Sequence, residues 1–156
     1  MLLTGPSGSG KTTLMRMFAG LDRDFKGCIE DGPERPVILF QEDRLVETIT
    51  VMSNLMAVTD DRKRALDVLS SVGLEGEEKS ITSSLSGGMK RRLAIARMML
   101  IDGDAVFLDE PFRGLDDETK ERTAEQLSSF AGKRTLLLIS HDDDPGIPFI
   151  THRLSI

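Results

Sequence analysis

The chain has 156 residues, 39% hydrophobic and 29% charged, with a net charge of −6 and one cysteine. That length supports one domain with a core of its own, and the acidic balance argues against a general nucleic-acid binder or a polybasic membrane docker. Cys28 has no internal disulfide partner and is expected to fill space, and no apolar run approaches the ~20 residues needed to cross a bilayer. A soluble, intracellular protein without a signal peptide is the expectation.

In chain order, Leu2-Leu3-Thr4 reads as a strand end and leads into Gly5-Pro6-Ser7-Gly8-Ser9-Gly10-Lys11-Thr12. Leu14, Met17, Phe18 and Leu21 follow at i, i+3, i+4, i+7, the spacing of a buried helix face, with Gly20 near its end. Val37 to Phe40 is the next strand and ends at Gln41. From about 42 to 85 there is no clear strand, and a mostly helical insertion is expected. Within it, Asp61 to Val72 presents Ala65, Leu66, Leu69 and Val72 on one side and stops at Gly73. Leu85-Ser86-Gly87-Gly88-Met89 precedes a helix from Lys90 to about Leu100. Ala105 to Leu108 is a third strand, followed by Asp109-Glu110. Asp116 is an N-cap candidate for a helix that presents Ala124, Leu127 and Ala131 and stops at Gly132. Leu136 to Ile139 is a fourth strand, with Ser140-His141 beyond it, and Ile150 to Ile156 can form a last one. Runs that are continuously apolar, rather than alternating, belong to a parallel sheet covered on both faces, so the class is α/β.

The chemistry begins at the first loop, which matches G-x-x-x-x-G-K-[ST]. Its glycines let successive amides curl around an anion, the Lys11 ammonium meets β/γ-phosphates, and the Thr12 hydroxyl serves Mg²⁺. The following helix turns its positive end toward the same phosphates. Asp109 and Glu110 stand at the carboxyl edge of the sheet, where open α/β folds bind ligands. One acid there holds Mg²⁺ through water and the next orients and deprotonates an attacking water, although such pairs are often solvated loop charges. Gln41 and His141 take the same edge position, for a Mg²⁺ or water contact and a γ-phosphate contact respectively. Ser86-Gly87-Gly88 is either a second anion nest or an ordinary N-cap with a flexible entry.

Taken together, these segments resemble the nucleotide-binding domain of the ATP-binding-cassette (ABC) family, in the family's order and over nearly the whole chain. Gly5 to Thr13 is similar to its P-loop, Phe40-Gln41 to its glutamine loop and Leu85 to Met89 to its signature. Ala105 to Pro111 is similar to its magnesium strand with the catalytic glutamate, Gly114-Leu115-Asp116 to its D-loop, and Ser140-His141-Asp142 to its histidine switch. The signature is the family-specific part. The resemblance implies a P-loop NTPase fold with a mostly parallel sheet and a single domain over 1–156, its core at about 1–41 and 86–156 and its helical insertion at about 42–85. It implies ATP and Mg²⁺ as cofactors: Gly5, Pro6, Ser7, Gly8, Ser9, Gly10, Lys11, Thr12 and Thr13 at the phosphates, with Thr12, Gln41 and Asp109 at the metal. Glu110 would activate water, with His141, Gln41 and Lys11 assisting. Ser86, Gly87, Gly88 and Asp116 would act at the nucleotide of a second nucleotide-binding domain, an identical copy or a paralogue, paired head to tail.

The stretches Gln41 to Leu45 and Thr50 to Leu55 resemble bacterial importer ATPases of the nitrate and sulfonate type. That implies a membrane permease partner and a cytoplasmic chain held at the inner face of the membrane, with no insertion of its own and no nucleic acid. The chain also departs from the family pattern. Met1 begins inside the strand that enters the P-loop, so the N-terminal antiparallel β subdomain is expected to be largely missing, with its adenine-stacking aromatic residue. Met89 replaces the usual Gln of the signature. The alternative is a truncated, non-catalytic paralogue or fragment that retains the motifs and binds ATP weakly.

Overall fold

The computed structural model describes residues 1–140 and 150–156. Five strands, β1 (Leu2–Thr4), β2 (Pro36–Leu39), β3 (Ala105–Asp109), β4 (Thr135–Ile139) and β5 (Arg153–Ser155), form one sheet in the order β2-β3-β4-β1-β5. Every pair in it is parallel. The helices are α1 (Lys11–Phe18), α2 (Val51–Met56), α3 (Arg62–Ser71), α4 (Gly87–Met99) and α5 (Asp117–Ala131), with a 3-10 turn at Thr82–Ser84.

The unbroken apolar strands have a simple cause. Successive side chains of a strand point to opposite faces, and here both faces are covered. Leu3, Phe107, Leu137 and Ile139 face one way and pack with Met15 of α1. Leu2, Val106, Leu108, Leu136 and Leu138 face the other way, into a core shared with Leu55 of α2, Leu69 of α3, Leu93 and Ile95 of α4, and Leu127 of α5. Burying each such side chain contributes about 1.5–3 kcal/mol.

The local signals set the helix ends. The Asp61, Ser86 and Asp116 side chains accept from the amides of Arg64, Met89 and Thr119, each satisfying one orphan donor of a first turn. Ser86 is thus an N-cap, and α4 starts three residues earlier than the sequence pattern suggests.

Three expectations need correction. On α1 the buried face centres on Met15, while Leu14, Met17 and Phe18 are half-buried and Leu21 is exposed. The helix is short and lies with Met15 over β1, β3 and β4, and Leu21 falls beyond its end. Leu66 of α3 is exposed, because that helix rests on Ala65, Leu69 and Val72. Cys28 is exposed in the long connection before β2 and fills no core space.

Candidate functional site

The loop after β1 is built around its lysine. Lys11 is buried, and its Nζ donates to the carbonyls of Gly5 (2.7 Å) and Pro6 (2.8 Å), which hold the ammonium within the curl of the loop. Gly8 and Gly10 take φ of 81° and 94°, in the left-handed region that side chains avoid, and a Cβ on either would stand in open space. Glycine at these two positions leaves that side of the loop open. Gly10 caps α1 without a side-chain hydrogen bond, so the cap leaves the first-turn amides to other acceptors. The Ser9 hydroxyl is buried with no hydrogen-bond partner among the described residues.

The carboxyl edge of the sheet gathers the remaining groups. A cleft of about 230 Å³ is lined by Ser7, Gly8, Gly10, Lys11, Thr12, Thr13, Gln41, Asp109, Glu110 and Ile139. The ends of β1, β2, β3 and β4 all contribute to it, which is where parallel α/β sheets place ligands. Thr12 Oγ1 donates to Asp109 Oδ2 at 2.7 Å, joining the first turn of α1 to the end of β3 across 97 residues of sequence. A hydroxyl beside a carboxylate, with the Gln41 amide on the same cleft, is an all-oxygen donor set of the kind a hard divalent cation accepts.

Asp109 is 1% exposed. Burial raises its pKa above the ordinary carboxylate value; the Thr12 hydrogen bond opposes the shift and the neighbouring Glu110 charge adds to it. At Glu110 the chain turns through φ of 48°, a left-handed conformation uncommon outside glycine, and its amide donates to the Ile139 carbonyl at 2.9 Å. The turn ends the strand and sets the Glu110 side chain between the cleft and a second pocket of about 180 Å³ lined by Phe112, Arg113, Gly114, Leu115, Lys120 and Ser140. Backbone strain of this kind clusters at functional sites.

Ser86, Gly87, Gly88 and Asp116 do not line the cleft. They sit together elsewhere: a Cβ on Gly88 would come within 3.2 Å of the Gly114 carbonyl, which places the start of α4 against the loop that leads to Asp116. Hydrogen bonds from the Thr119 amide and hydroxyl hold Asp116 below the ordinary carboxylate range. His141 lies outside the described residues.

Sequence reasoning missed Arg91. In the run Lys90-Arg91-Arg92 it looks like part of a solvated helix face, yet it is 2% exposed. Its guanidinium reaches the carbonyls of Phe40, Asp109, Glu110 and Pro111 and the carboxylate of Asp43. Burial lowers its pKa, and the Asp43 hydrogen bond and charge pull it back up. An arginine five residues after a helix-capping serine gives no sign of this in the sequence.

The profile of the ABC transporter family matches residues 1–113. The chain belongs to the ABC transporter family. Among curated ABC relatives, it is similar to the aliphatic sulfonates import ATP-binding protein SsuB 1 of Rhodococcus jostii (strain RHA1), at 42% identity over 146 residues, covering 88% of this chain and 60% of that protein. It is likewise similar to SsuB 2 of Pseudomonas syringae pv. tomato (strain ATCC BAA-871 / DC3000), at 39% identity over 150 residues, covering 93% and 65%. The chain therefore spans about 60–65% of the length of these two relatives. Among solved structures it resembles the dimeric post-hydrolysis state of the ATP-binding cassette MJ0796 bound to ADP and Pi, with a TM-score of 0.77 and 27% identity over 90% of this chain and 74% of that one. No helix among the described residues is long and apolar enough to cross a membrane.

Proposed function

We propose that this chain binds ATP with Mg²⁺ and hydrolyses it as the ATPase part of an ABC importer, for a solute of the aliphatic sulfonate class. The observation that carries the reading is the single cleft shared by the glycine cradle, Lys11, the Thr12–Asp109 pair, Gln41 and Glu110. The names of the relatives support the solute class.

In this reading the amides of residues 5–13 and the Lys11 ammonium grip the β- and γ-phosphates. Thr12, Asp109 and Gln41 would hold Mg²⁺, which would supply positive charge against the negative charge developing on the phosphate oxygens. Glu110 takes a proton from the attacking water, and Gln41 orients that water. His141 contacts the γ-phosphate. Ser86, Gly87, Gly88 and Asp116 act on the nucleotide of a second cassette, which accounts for a signature segment set apart from this chain's own cleft. Burying phosphate charge between two helix N-termini favours the closed pair, and hydrolysis lets it open. A membrane permease receives that motion, and the chain works at the cytoplasmic face of the membrane.

The test is Mg-ATP-dependent thermal stabilisation followed by phosphate release. Wild-type protein is expected to do both. Glu110→Gln is expected to keep the stabilisation and to lose at least about 100-fold in release, the usual weight of a general base. If millimolar Mg-ATP leaves the melting temperature unchanged, the chain is a non-catalytic remnant and the proposal falls.

A further inference from the structure

We infer that Arg91 is a positioning residue that ties the Gln41 loop and the Asp109–Glu110 turn to α4 as one body, so that Gln41 and Glu110 keep a fixed spacing across the cleft. The inference rests on the ATPase reading above and names what holds its water-handling groups in register.

The geometry of the guanidinium carries it. An arginine has five N–H donors in a rigid fork. Here Nε donates to the Pro111 carbonyl at 3.2 Å. One terminal nitrogen donates to the Asp109 carbonyl at 2.7 Å and the Glu110 carbonyl at 2.8 Å. The other donates to the Phe40 carbonyl at 2.8 Å and the Asp43 carboxylate at 3.0 Å, with the Gln41 carbonyl at 3.5 Å. The fork is thus spent on two chain segments 66 or more residues apart, the stretches 40–43 and 109–111. In both, residues whose carbonyls are held, Gln41, Asp109 and Glu110, line the cleft.

The loop is held a second time from the same helix. Arg97 donates to the carbonyls of Asp43 (3.0 Å) and Arg44 (2.8 Å), and the Arg44 guanidinium stacks 3.4 Å over the Phe40 ring. Arg44 itself has φ of 51°, a strained conformation that persists only where its surroundings over-determine it. On the β3 side Glu110 is strained in the same way. Two strained residues, Glu110 within one segment that the buried guanidinium holds and Arg44 directly after the other, indicate a joint in which neither segment relaxes alone. The helix that supplies the joint begins at Ser86-Gly87-Gly88, so a displacement of that end would move Gln41 and Glu110 together.

Lysine at position 91 keeps the charge but offers three donors from one point, too few and too localised to bridge both segments. Two measurements on Arg91→Lys test the inference. Without nucleotide, amide hydrogen exchange is expected to quicken about tenfold at 41–44 and 110–113 together, with β4 unchanged. With Mg-ATP, kcat is expected to fall about 10–100-fold, as for a misplacement near 1 Å, while KM moves less than about threefold because the phosphate cradle is untouched. Asp43→Ala removes one strut only. It is expected to speed exchange at 41–44 alone and to lower kcat by about threefold or more, and it decides the matter should the lysine variant not fold. An Arg91→Lys protein with kcat within about twofold of wild type would overturn the inference. So would exchange that quickens at one segment only or throughout the chain. Wild-type protein that neither binds nor hydrolyses Mg-ATP would sink the ATPase reading instead, and the exchange pattern would still decide the joint.

Discussion

Asn54 is 1% exposed on α2, and its side chain organises the two stretches that flank it in space. Its Oδ1 accepts from the Val46 amide at 2.9 Å; its Nδ2 donates to the Val46 carbonyl at 3.0 Å, the Thr50 carbonyl at 3.3 Å and Thr82 Oγ1 at 2.9 Å. Asn54→Leu removes all of these at similar volume. The orphaned groups do not cost equally. Val46 is half exposed, so its amide and carbonyl can turn to water. Thr82 is fully buried, and its hydroxyl is left with the bond it donates to the Ile49 carbonyl at 2.9 Å. With water replacing the two Val46 bonds, the loss is that of the Thr50 and Thr82 bonds, roughly 1 kcal/mol each, plus up to about 2 kcal/mol of desolvation at the Thr82 hydroxyl, in all about 2–4 kcal/mol. For a domain of this size that corresponds to a melting temperature lower by about 5–12 °C. Thermal denaturation of Asn54→Leu, Thr82→Val and the double variant measures it. The double variant should be less destabilised than the sum of the singles by about 1 kcal/mol, because the two side chains share a bond. A melting temperature within about 2 °C of wild type for Asn54→Leu, or strictly additive losses, would refute the reasoning.

Two further outcomes follow from the same structure. Burial raises the Asp109 pKa, so the ionised carboxylate opposes folding: its contribution is fully present below the unfolded carboxyl pKa and is lost as pH rises through the raised folded value. Asp109→Asn, which can still accept from Thr12, should therefore be more stable than wild type at neutral pH and converge with it in acid, while Mg²⁺-dependent phosphate release falls about 10–100-fold; a variant less stable at pH 7 contradicts this. Gly103→Ala would put a Cβ 2.3 Å from the Arg35 carbonyl oxygen and 2.5 Å from Val37 Cγ2. Because the nearest atom belongs to backbone beside β2, the variant should lose about 2–3 kcal/mol in urea denaturation, and an unchanged midpoint would show that the β2–β3 junction yields.

Much of the cleft was legible from contiguous residues because its chemistry is local. Glycines at 8 and 10, a lysine and a threonine in the next two positions, and an acid pair at a strand end each act within a few bonds of their own backbone. The same holds for the caps at Asp61, Ser86 and Asp116 and for the strand runs, whose unbroken apolar character reported a sheet covered on both faces. Burial phase on helices was less legible. The i, i+3, i+4 pattern on α1 marked an apolar side but not its centre, which Met15 occupies because the helix is short and the sheet beneath it sets the contact line.

By itself, then, the sequence determined the glycine-rich loop, the acid pair, the strand edges and the parallel class, since these follow from the conformational limits of single residues and short repeats. Only the tertiary structure decided the pairing of Thr12 with Asp109, the inward turn of Arg91, the linkage of Asn54 to Thr82 and the separation of Ser86–Gly88 from the cleft. Each of these joins groups far apart along the chain, and a charged or amide side chain is buried only where distant backbone carbonyls converge to satisfy it. That convergence is a property of packed elements, and no stretch of neighbouring residues encodes it.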